Sequence, residues 1–231
     1  MRLDKYIANL WYWSRREVLN YIKNWDIIVN DTLVTQKDAK INFWDKIQVW
    51  DYWTFEYQEF IYIMLNKPTD YVSSKKDDWW HISYLNLLDD CVYWNIINIV
   101  WRLDFDTTGL LFLTNDWELT HNIIHPKKEI FKKYKVTSKN TLSKEDIKKL
   151  ETWVKIDDFI TKPAFVEIID ENNIYLSICE GKFHQIKKML EAVDNEVIAL
   201  HRQSIWWLDL WILDVGSWKY LTKDEIDKIF L

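Results

Sequence analysis

An apolar run, Ile96 to Val100, ends in Trp101-Arg102-Leu103-Asp104, and a second acid, Asp106, follows two residues later. A carboxylate at the end of a buried strand is poorly placed as a solvated charge and needs a cationic partner. Such an Asp can be a nucleophile, a general base or half of a structural ion pair, with Arg102 or a distant cation opposite it. A second tract, Glu180-Gly-Lys-Phe-His184-Gln-Ile-Lys187-Lys188-Met-Leu190, opens a helix with a cationic, amphipathic first turn. A solvated basic face accounts for Lys188, whereas Lys187, beside apolar Ile186, belongs at the edge of the core.

The pattern Asp104-x-Asp106-Thr-Thr-Gly109 also resembles the first motif of haloacid-dehalogenase-type phosphatases, with Asp104 as phosphoryl acceptor. That chemistry requires Mg²⁺ and a later acidic pair, for which Asp157-Asp158 is the available choice. It also requires alternating strands and helices, and the elements do not alternate. Leu3, Ile7 and Leu10 keep helical spacing, and Ser14-x-x-Glu17 has the form of a capping box before the stripe Val18, Leu19, Ile22. Ile27–Val29 and Leu33-Val34 around Asn30-Asp31 read as a hairpin, and Lys46–Val49 as a further strand. This predicts a small unit over residues 1–50, a connection over 51–59 and a larger domain over 60–231. In the larger domain strands are expected at 60–65, 96–100, 110–114, 134–137, 165–169 and 174–178, and helices at 118–124, 143–150 and 184–193. The class is α+β with a mixed, mainly antiparallel sheet.

The chain has 231 residues, 29% charged and 48% hydrophobic, which fits a globular protein. No apolar run approaches the ~20 residues of a membrane span, and MRLDKY lacks the features of a signal peptide. Cys91 and Cys179 have no paired spacing, so neither a disulfide nor a zinc site is expected, and a reducing cytoplasm is. The net charge is −6, but charge is local. Arg2, Lys5, Arg15, Arg16 and Lys23 face only Asp4 and Glu17 in residues 1–24, and lysines crowd residues 127–149. Two basic islands on an acidic chain suit a polyanion bound along one face, and they equally suit solvated helix surfaces.

Sixteen Trp accompany three Gly, although average usage of about 7% predicts roughly 16 glycines. The Trp residues stand in turn contexts such as Asn24-Trp25-Asp26, Asp78-Trp79-Trp80 and Asp116-Trp117, where positive φ is common and glycine is the usual solution. This pattern is expected if UGA codons read as glycine in the cell have been translated as tryptophan. The alternative is a chain that uses indoles to stack on bases or sugars.

Taken together, YIMLNKP, WRLDFDTTGLLFLTND, KKYKV, TKPAFVEI, EGKFHQIKKMLEAV and ALHRQSIWWL resemble the successive catalytic motifs of bacterial ribosomal RNA pseudouridine synthases of the small-subunit type. MRLDKYIANL, SRREV, YIKN and IIVND resemble the small S-four-like RNA-binding domain that precedes them. The family has Gly where this chain has Trp11, Trp25, Trp44, Trp101, Trp117, Trp206 and Trp207, and also where it has Asp31 and Asp70. The resemblance implies that Asp104 is the nucleophile, Lys187 its basic partner and Tyr134 the aromatic that stacks on the uracil. Arg102 would help extrude the base or grip a phosphate, and Leu190 would form the apolar wall. No cofactor or metal is implied. Arg2, Lys5, Ser14, Arg15, Arg16 and Lys23 would contact RNA phosphates. The expected partner is small-subunit ribosomal RNA, with no membrane, and the expected state is a monomer. A large-subunit enzyme of the same family and a non-catalytic RNA-binding or assembly factor are the competing readings.

Overall fold

Ser14 and Glu17 close the capping box that their spacing predicts: the Glu17 amide donates to Ser14 Oγ at 3.3 Å and the Ser14 amide donates to the Glu17 carboxylate at 2.6 Å. The computed structural model describes residues 1–10, 13–42, 45–50, 53–210 and 212–228. In it helix α1 (Leu3–Asn9) is followed by α2 (Arg15–Asn24), which ends at Trp25 in the left-handed conformation. Strands β1 (Ile27–Val29), β2 (Thr32–Leu33), β3 (Lys46–Val49) and β4 (Trp53–Glu56) form a sheet in the order β2-β1-β3-β4. Strand β4 lies in the segment 51–59, read as a connection from sequence, and extends this sheet antiparallel to β3. These elements and residues 90–98 make one unit; residues 62–89 and 99–231 make the other.

The second unit is built on a nine-stranded mixed sheet. After β5 (Tyr62–Lys67), a short parallel pair forms from β6 (Tyr71–Val72) and β7 (Ile82–Ser83). Then come β8 (Asn98–Val100), β9 (Thr108–Thr114), α3 (Trp117–Ile124), β10 (Lys132–Ser138) and α4 (Lys144–Thr152). A two-stranded pair, β11 (Lys155–Ile156) and β12 (Phe159–Ile160), precedes β13 (Phe165–Ile168), β14 (Asn173–Ile178), α5 (Gln185–Glu191) and β15 (Val197–Ile205). The chain continues through β16 (Leu208–Asp209), β17 (Trp218–Tyr220) and α6 (Lys223–Asp227). The main order is β13-β14-β10-β15-β9-β5-β17, with β8 on β9 and β16 on β15. Its neighbours run antiparallel except β9 and β15, which are parallel at the centre.

That central pair explains why a glycine is kept at 109. Gly109 has φ 105° and lies in register with Arg202; a Cβ there would come within 2.3 Å of the Arg202 carbonyl oxygen. Among the described residues four tryptophans also adopt positive φ: Trp25 (70°), Trp50 (53°), Trp101 (58°) and Trp206 (55°). Asp31 and Asp70 do the same at 62° and 66°, which short polar side chains tolerate better than indoles. Trp117 and Trp207 do not, and Trp11 and Trp44 lie outside the described residues.

Candidate active site

Strand β5 is buried along its whole length, so Asn66 and Lys67 at its end are drawn inside with the apolar residues. A buried ammonium must find acceptors. The Lys67 Nζ donates to the carbonyls of Pro68 (2.8 Å), Phe105 (3.1 Å) and Thr107 (2.8 Å). Two of these three acceptors belong to the loop that carries Asp104. Burial pulls the Lys67 pKa down to about 8, against the raising influence of Asp106, Asp70 and Asp104. Ser73 braces the same loop from its other side, donating to the Leu103 carbonyl at 2.6 Å and accepting from the Leu103 amide at 3.0 Å. The Thr107 amide closes the turn on the Asp104 carbonyl. The position of the Asp104 backbone is thus set by two buried side chains and a turn.

Asp104 faces a cavity of about 990 Å³ that Arg102, Tyr134 and Lys187 also line. Lys187, on the first turn of α5, places its Nζ 3.4 Å from Asp104 Oδ2, and His184 Nε2 lies 3.6 Å from the same oxygen. The ammonium is closer to Asp106, donating to both of its carboxylate oxygens at 2.8 Å. One lysine is therefore shared by two acids. Asp106, noted in the sequence as a second acid, is an ion-pair partner, and neither it nor His184 was picked out as a site residue. Asp157, which the phosphatase reading would need for a metal, pairs with Lys188. Among the described residues no group of three or more His, Cys, Asp or Glu is placed to hold a metal ion.

The back wall is cationic and buried. Alternation along β10 turns Lys132, Tyr134, Val136 and Ser138 inward, so Lys132, a member of the lysine-rich island, is buried rather than solvated. Its Nζ donates to the Ile130 carbonyl at 2.9 Å and stands 5.0 Å from the Trp101 ring centroid. Burial, aided by the Arg202 charge, lowers its pKa to about 8. Arg202 is 1% exposed; its guanidinium donates to the carbonyls of Leu110 and Trp101, each at 2.7 Å, and its backbone lies in register opposite Tyr134 on β10. Arg202 thereby ties the two ends of the Asp104 loop to β15. Leu190, expected as the apolar wall, is fully buried and is not among the lining residues. It lies one helical turn beyond Ile186 on the same face, and Ile186 lines the cavity.

The basic residues of the segment 1–24 divide into two sets. Arg2 and Arg15 both bind the buried Asp4, at 2.9 and 2.7 Å. Burial alone would raise the Asp4 pKa, but the two guanidinium hydrogen bonds outweigh it and hold the carboxyl below its ordinary value. Lys5, Arg16 and Lys23 are exposed, as is Ser14, whose hydroxyl caps α2.

Residues 61–192 match the family model described as RNA pseudouridylate synthase. An uncharacterized RNA pseudouridine synthase of Bacillus subtilis, YtzG, is 40% identical over 98% of this chain and 97% of its own length. Ribosomal small subunit pseudouridine synthase A of Vibrio vulnificus is 34% identical over the full length of both chains. Ribosomal large subunit pseudouridine synthase B of Bacillus subtilis is also 34% identical, over 99% of this chain and 95% of its own. A crystal structure titled pseudouridylate synthase superposes with a TM-score of 0.69 at 32% identity, covering 99% of each chain. The sequence motifs, the fold and the full-length relatives converge: this chain belongs to the RNA pseudouridylate synthase family.

Proposed function

We propose that the protein isomerises a specific uridine of small-subunit (16S) ribosomal RNA to pseudouridine, with Asp104 as the nucleophile. In the reaction the C1′–N1 glycosidic bond breaks, the base rotates, and C1′ rejoins the base at C5; the C5 proton leaves and N1 gains one. The observation that carries the assignment is a carboxylate with an ammonium at 3.4 Å in a cavity open to substrate. Lys187 orients the Asp104 carboxylate from 3.4 Å, and Tyr134, in register opposite Arg202, stacks on the uracil. Arg102, exposed at the rim, grips a phosphate or helps extrude the base. The uridine must leave its stack to reach this site, at a cost of a few kcal/mol recovered by such contacts.

Residues 1–50 act as an S-four-like RNA-binding domain, with Lys5, Arg16 and Lys23 as phosphate contacts and Arg2 and Arg15 held in place by Asp4. The full-length match to a small-subunit synthase supports the small-subunit target, and the large-subunit relative supports the competing one. The working unit is a monomer. Mapping pseudouridines in ribosomal RNA from cells lacking the gene, and from cells complemented with Asp104→Asn, tests the proposal. One 16S site should vanish in both. A site lost only from large-subunit RNA would transfer the target, and conversion by the Asn variant would remove Asp104 from its role.

A further inference from the structure

Two phenylalanines stand on the wall of the Asp104 cavity with no folding rationale for their exposure. Phe183 is 73% exposed and Phe105 45%, yet both line the cavity. Each is backed by an imidazole: Phe183 stacks on His184 with centroids 3.8 Å apart and planes at 19°, and Phe105 lies against His81 at 4.6 Å and 40°. Backing on one face fixes each ring while its exposure leaves area for a ligand. Both pairs adjoin the same carboxylate, for Phe105 is the sequence neighbour of Asp104 and His184 Nε2 is 3.6 Å from its Oδ2.

The surroundings select the kind of partner. A protein partner favours a contiguous apolar patch with few charges at its centre. Here the rings share the wall with Arg102, Lys182 and Lys187, and the ammonium of Lys188, which pairs with Asp157, stands 5.3 Å from the Phe183 centroid. Planar apolar faces alternating with cations match single-stranded nucleic acid, in which bases alternate with phosphates. Extruding a uridine deprives the base on each side of it of a stacking neighbour. We infer that Phe105 and Phe183 are stacking platforms for the two nucleobases that flank the target uridine, one on each ring. The inference rests on the reading of this cavity as the uridine site. It assigns part of the selectivity for sequence context to these two side chains, because purines offer a larger face than pyrimidines.

The test uses the full chain and a ribosomal RNA fragment carrying the mapped uridine, with an abasic nucleotide placed 5′ or 3′ of it. Phe183→Ala and Phe105→Ala should each raise KM about tenfold, with the loss falling on KM rather than kcat. Phe183→Trp should retain the wild-type KM, while Phe183→Leu, apolar but without a π face, should behave as the alanine variant; this pair separates stacking from folding. An abasic nucleotide at one flank should raise the KM of the unaltered chain similarly, after which Phe183→Ala adds nothing further. The other flank should show the same relation to Phe105. KM values within twofold of the unaltered chain, or losses that multiply on the abasic RNAs, would overturn the inference. Failure of the unaltered chain to convert any uridine would instead sink the proposed function.

Discussion

Trp25 and Trp117 make one substitution predict two opposite outcomes. Both indoles are largely exposed, at 66% and 77%. Trp25 closes α2 with φ 70°, whereas Trp117 is the first residue of α3. A left-handed conformation costs an L-residue roughly 1–2 kcal/mol, which Trp25→Gly relieves. The new glycine loses about 0.4–1 kcal/mol through the freedom of the unfolded chain. The net expectation is a stabilisation of about 0.5–1 kcal/mol. Trp117→Gly relieves no strain and should cost about 0.5–1 kcal/mol by the same entropy term. Urea unfolding of the two variants with a shared m-value measures the difference, expected at about 1–2 kcal/mol. Equal signs, or a destabilised Trp25→Gly, would refute the reasoning from backbone strain. If glycine is what the cell inserts at these codons, the intact mass of protein purified from its own cells falls below 28.4 kDa, and a mass equal to that of the printed sequence refutes it.

Lys67→Met leaves three carbonyls without their ammonium and should cost roughly 2–4 kcal/mol net, since removing a buried charge offsets part of the loss. Turnover should fall more steeply than stability, because the Asp104 loop is released; a kcat within twofold of wild type would show that the loop holds itself. Asp106→Asn removes the nearer of the two acids that share Lys187 and should lower turnover about tenfold, a change of ~1.4 kcal/mol in the barrier, with Asp106→Glu restoring part of it. Equal activity in the Asn and Glu variants would argue against a charge role. Asp4 has a depressed folded-state pKa, so its pairing with Arg2 and Arg15 stabilises fully above its ordinary value of 3.8 and is lost as pH falls through the depressed value. Acid titration of the unaltered chain should therefore show an unfolding contribution below that value which Asp4→Asn lacks, and superimposable acid limbs would count against it. Trp101→Gly, at φ 58° beside the loop, should leave uridine conversion intact, and lost conversion would show that the indole belongs there.

Much of the architecture was legible because apolar periodicity tracks burial. The strands around 62–67, 108–114 and 173–178 and the capped helices α2 and α4 follow from apolar runs and Ser-x-x-acid spacing. Strand β15 was not foreseen, since its inward positions from Leu200 onward are filled by Arg202 and Ser204 and leave no apolar alternation to read. The same inversion hid Lys132 on β10. Lys67 and Arg202 were invisible for a related reason. Their partners are mostly backbone carbonyls whose positions depend on strands far away in sequence, and no side-chain motif records them. The approach of Lys187 to Asp104 was expected from family likeness, but the closer contact with Asp106 is a matter of tertiary distance.

The parallel junction of β9 with β15 also sets the order in which this protein can become active. The bond from Arg202 to Leu110 spans 92 positions of chain, and that from Arg202 to Trp101 spans 101. Closing loops of that length costs entropy before any contact repays it, and topologies of high contact order fold slowly. The hairpin of β13 and β14 can form from neighbours, but the anchor of the Asp104 loop cannot. In refolding, helical and strand signals should return first, and competence to bind and convert RNA should trail them by the time the central seam takes to close. A nascent chain released before β15 has emerged would carry Asp104 without the arginine that fixes its loop.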